Sequence, residues 1–92
     1  MEEAITVKEE IANYIRELQG IQDRINKIVS TQISTQSATT YTSQGHVLLI
    51  AIGCLLSELR VVDPETITHR GIVVLSDNVQ HVIKSCRLFT RQ

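Results

Sequence analysis

Aromatic residues are scarce in this 92-residue chain: there is no Trp, and Tyr14, Tyr41 and Phe89 are the whole complement. A core must therefore be built from Ile, Leu and Val, without the large rings that anchor many small domains. So small an aliphatic core gains stability by oligomerising. An excess of one charge sign is also missing. The formal net charge is -1 and the pI is near 6.3, which leaves no basic excess for phosphate neutralisation and excludes general nucleic-acid coating. The two cysteines, Cys54 and Cys86, are too few for a disulfide framework and fit neither C-x-x-C nor zinc-type spacing. They read as buried free thiols, and a Cys54 to Cys86 bridge requires the second and third helices to lie side by side.

Long hydrophobic runs are absent as well. The longest, Val47 to Leu56, has ten residues, roughly half of the ~20 that a helix needs to cross a bilayer. It reads as a buried segment, and no membrane span is expected. The start, "MEEAITVKEE", lacks the basic-then-apolar order of a secretory signal, and its acids argue against a mitochondrial transit peptide. The expected location is the cytoplasm.

What is present is helical periodicity. Val7, Ile11, Tyr14, Leu18, Ile21, Ile25 and Ile28 alternate steps of three and four, the seam of a coiled-coil-like helix over about 6–29. Thr6 followed by Glu9 matches a capping box, and Glu9 and Glu10 lie where the helix dipole favours negative charge. Gly20 interrupts the helix at a cost of about 1 kcal/mol, which points to a close approach by another backbone or to a soft point. The narrow seam suits a single partner helix, as in a projecting coiled-coil arm.

Charge then vanishes for 28 positions, Ser30 to Ser57. In the first part, 30–43, nine of fourteen residues are Ser or Thr; these compete with the backbone for hydrogen bonds, so the tract is expected to be a connector. The rival reading extends the first helix, because Gln32, Thr35, Thr39 and Thr42 continue the seam. The second part opens a helix over about 44–60 that is apolar on nearly every side and should be buried on nearly every side. Three helices of one chain cannot surround it, so copies of the chain are expected to complete its burial. "VVDPETI" marks the third start, with Asp63 as N-cap, Pro64 at the first helical position and a Val62 to Ile67 staple. That helix is expected over 64–89, with Gly71 to Val74 as a competing short strand. The fold class is all-α: a single domain, 1–92, forming a three-helix bundle or helical hairpin completed by oligomerisation.

Catalytic patterns are missing too. Asp77, His81 and Ser85 form an acid, imidazole and hydroxyl stripe at i, i+4, i+8, but mid-helix residues in a row lack the strained turn and convergent donors of a working nucleophile. His46, His69 and His81 stand apart, so no metal site and no cofactor are expected. Neither a phosphate-binding glycine loop nor a nucleophile elbow occurs. The chain therefore reads as a non-enzymatic homo-oligomeric interaction module. Its interface is expected at Val7, Ile11, Tyr14, Leu18, Ile21, Ile25 and Ile28 on the first helix and at Leu48, Leu49, Ile52 and Leu56 on the second, and it can extend to a host or partner protein. The alternative is an oligomer that sequesters a small anionic ligand such as a signalling nucleotide, by class analogy with small helical phage counter-defence proteins. Lys84, Arg87 and Arg91 would supply charge, Tyr14 a stacking face, and Thr39 and Tyr41 hydroxyls.

Overall fold

A computed structural model of the chain describes residues 6–31 and 38–90. Three helices pack against one another: α1 Val7–Thr31, α2 Ala38–Val61 and α3 His69–Thr90. No strand occurs among the described residues, and Gly71 to Val74 lie within α3.

α1 starts as its sequence dictates. The Thr6 hydroxyl accepts the Glu9 N–H at 3.1 Å, satisfying a donor that the helix itself leaves unpaired. Its seam faces inward: Ile11, Leu18 and Ile25 are buried, and Tyr14, Ile21 and Ile28 are half-buried. The seam does serve partner helices, but they are α2 and α3 of the same chain, so α1 is not a projecting arm. At Gly20 a Cβ would meet nothing within 4 Å, so among the described residues no other backbone approaches closely there.

α2 begins at Ala38, six residues earlier than expected, and α1 ends at Thr31. The described parts of the Ser/Thr tract, 30–31 and 38–43, thus belong to two helices. Serine and threonine lower helix propensity only by a few tenths of a kcal/mol each, too little to stop a helix anchored by a buried apolar centre. Gln32 and Thr35 of the proposed seam extension lie outside the described residues.

α2 runs antiparallel to its neighbours, since its start meets the ends of both. A Cβ on Gly45 would lie 2.5 Å from Val29 Cγ2 on α1 and 3.1 Å from Phe89 Cζ on α3. Here glycine is needed for the crossing itself. The core that results is almost wholly aliphatic: Leu18, Ile25, Ile52, Leu59, Val79 and Ile83 are at most 1% exposed, joined by Cys86, with Phe89 closing one end.

The start of α3 differs from expectation. Asp63 accepts the Glu65 N–H on its side chain at 3.0 Å, and its carbonyl accepts the Thr66 and Ile67 N–H groups. Asp63 therefore caps a single turn, 64–66, and the helix begins anew at His69, where Thr68 Oγ1 accepts the Gly71 N–H at 2.9 Å. Two good caps five residues apart compete. The long helix starts at the second, and Val62 and Ile67, on either side of the interrupted turn, both pack on the core.

Candidate functional site

The bundle buries one side of α2 and leaves the other open. Ile52, Leu55, Leu56 and Leu59 are buried, while Val47, Ile50 and Val61 are 64%, 67% and 82% exposed. Ser43, Cys54 and Ser57 are exposed on the same side. The six outward residues, 43, 47, 50, 54, 57 and 61, follow steps of four and three, so they form one stripe opposite the core. No charged residue lies on this stripe. The expected all-round burial of α2 is thus half realised within the chain. Ser43–Val61 is also long and apolar enough to cross a membrane by length and composition, with 28% of the segment buried in the bundle; the ten-residue run alone concealed this.

The interface residues read from the sequence divide into two groups. Ile11, Leu18, Ile25, Ile52 and Leu56 are spent on the chain's own core, so in this fold they offer a second copy almost no surface. Val7, Tyr14, Ile21, Ile28, Leu48 and Leu49 are half-buried against that core. The outward residues Val47, Ile50 and Val61 were missed because an all-apolar helix has no periodicity to reveal which side is buried.

Tyr14 is held by two hydrogen bonds. Its hydroxyl donates to Glu10 Oε1 at 2.6 Å, and with that proton committed it accepts from Ser76 Oγ at 2.7 Å. This contact ties α1 to α3. Burial, reinforced by the Glu10 carboxylate, raises the Tyr14 pKa above that of a free tyrosine. Below about pH 10, where unfolded tyrosine is protonated, the corresponding stability is fully present; it is lost as pH climbs through the higher folded value. Tyr14→Phe is expected to cost about 1 kcal/mol at neutral pH, and to remove part of the alkaline decline. Urea melts at neutral and alkaline pH check both; an unchanged alkaline slope would show that Tyr14 does not carry it.

Of the basic residues on α3, Arg87 meets α1, at Glu17 and away from Tyr14. Arg87 lies 3.7 Å from Glu17, both largely solvated, so the pair contributes only a few tenths of a kcal/mol. Arg24 shares a shallow depression with Glu17, Arg87 and Thr90, and Lys84 lines another with Arg87 and Leu88. Arg24 was not expected here; only the packing of α1 beside α3 brings it in. Ser76, to which Tyr14 bonds, is eleven residues from Arg87 on α3, a separation of ~16 Å along a helix, so the stacking face and the charges are not one site. Arg91 lies outside the described residues, as do the side chains of Thr39 and Tyr41 in the first turns of α2.

The remaining candidates do not converge. Ser85 donates to the His81 carbonyl at 3.1 Å, engaging its hydroxyl with its own helix. Among the described residues no three His, Cys, Asp or Glu side chains could share a metal ion. Both cysteines are free, Cys54 exposed and Cys86 buried, so helices that do lie side by side do not bridge them. Burial raises the pKa of the Cys86 thiol, the setting of an inert core residue. Comparisons with protein-family models, with curated proteins and with solved structures found no match.

Proposed function

We propose that this chain is a non-enzymatic self-association module whose copies meet through the outer face of α2. The observation that carries this reading is the exposed, charge-free stripe containing Val47, Ile50 and Val61. A charge-free face that exposes several aliphatic side chains is a candidate interaction site, and covering such a face is how a small aliphatic bundle gains stability. The anionic-ligand reading gains Arg24 beside Lys84 and Arg87, but Glu17 already sits against Arg87 and would repel an incoming anion. It therefore stands second.

Sedimentation equilibrium tests the proposal. Association should be visible at ~100 μM, the range of even weak specific pairs. A strict monomer at that concentration would overturn it, and uptake of that monomer into neutral lipid vesicles would assign the face to a membrane.

A further inference from the structure

Resting on that reading, we infer that α2 pairs with α2 of a second copy in antiparallel sense, about a two-fold axis on its outer face between Ile50 and Cys54. The stripe 43, 47, 50, 54, 57, 61 has gaps of four, three, four, three and four, a sequence that reads the same in both directions. A two-fold at its centre therefore lays each position directly against another of the set. Ser43 meets Val61, Val47 meets Ser57, and Ile50 meets Cys54, each layer made twice.

Side-chain size selects this arrangement. In every antiparallel layer a bulky residue faces a smaller one, the alternation by which facing helices interdigitate. A parallel pair would set Ile50 on Ile50 and Val61 on Val61, and would leave Ser43 and Ser57 opposite themselves with gaps. Antiparallel pairing also opposes the two helix dipoles favourably, whereas parallel pairing aligns them. No like charges meet in the stripe, and at its edge Glu58 comes beside Gln44 of the second copy, an amide donor for its carboxylate.

Area identifies what else takes part. A 19-residue helix is ~28 Å long, and a stripe ~10 Å wide covers roughly 300 Å², well short of the ~800 Å² per partner of a standard interface. The flank of α3 must add to it. Leu88, 57% exposed, borders Val47 in an apolar groove between α2 and α3. The pair is accordingly a bundle of α2 and α3 from both copies.

Engineered thiols at exposed positions test the register in the full chain. V47C/C54S and S57C/C54S variants are oxidised with copper–phenanthroline separately and mixed. The inferred pair brings the thiol at position 47 of one copy against the thiol at position 57 of the other. Two thiols at position 47 instead stand ~15 Å apart along the axes, beyond the ~7 Å Cα reach of a disulfide. The mixture should thus give cross-linked dimers, which are lost when either variant is oxidised alone. Cross-linking of each variant with itself would establish parallel pairing and overturn the inference while sparing self-association. Sedimentation of dimers with no cross-link in any tube, repeated with S43C and V61C, would place the contact elsewhere and overturn it too. A monomeric wild-type protein would overturn both readings.

Discussion

Replacing Leu18 with alanine is expected to lower the unfolding free energy by about 3–5 kcal/mol, the range for a fully enclosed leucine. Leu18 is 0% exposed in the middle of α1, which packs on both other helices. Deleting its terminal carbons removes their transfer free energy and leaves a void that the surrounding core closes only in part. A chain of this size has a stability of roughly 5–14 kcal/mol, so a large share disappears. Because 1 kcal/mol shifts the midpoint of a small domain by about 4–8 °C, thermal unfolding followed by circular dichroism should move down by at least ~12 °C. Val47→Ala, at a 64% exposed site, should change the monomer by less than about 0.5 kcal/mol. A loss below ~1 kcal/mol for Leu18→Ala would mean that α1 is not packed at its centre.

How far the sequence reveals the structure depends on whether a local signal had a rival. The start of α1 had none: its cap and its seam agree, and both appear in the fold with the same residues. At the start of α3 the sequence points to Asp63 as the cap, and the structure shows a second one at Thr68, with Ile67 between them packed on the core. The start of α2 had weak signals only, because Ser and Thr neither propagate a helix strongly nor forbid one. Most instructive is α2 itself. Its composition told correctly that it has more apolar surface than three helices can hide, yet an all-apolar helix carries no polar side to mark solvent, so the outward stripe became legible only when Ile52, Leu55, Leu56 and Leu59 were seen to face inward. The basic end was readable in part: Lys84 and Arg87 stand out along α3, but Arg24 and Glu17 join them from 63 residues away in the case of the Arg24 to Arg87 pair, a distance no local pattern spans.

Ile50→Lys separates the face from the fold and is expected to have the largest effect on assembly. In the single chain Ile50 is 67% exposed, and lysine is a slightly better helix former than isoleucine, so the urea midpoint extrapolated to a monomer should hardly move. In the two-fold pair the same change occurs twice. Each copy loses the burial of an isoleucine, about 1.5–3 kcal/mol, and brings an ammonium toward the dry centre of the contact. The two introduced ammonium groups, one on each side of the axis, also repel each other. The sum is at least ~4 kcal/mol, which weakens association about a thousand-fold or more. Sedimentation equilibrium of Ile50→Lys should show monomer where the wild type associates, with an unchanged far-ultraviolet spectrum. Lys27→Ala on α1, exposed and away from the stripe, should associate as the wild type does. If Ile50→Lys assembles normally, the outer face of α2 is not where copies meet, and the charge-free stripe must have another occupant.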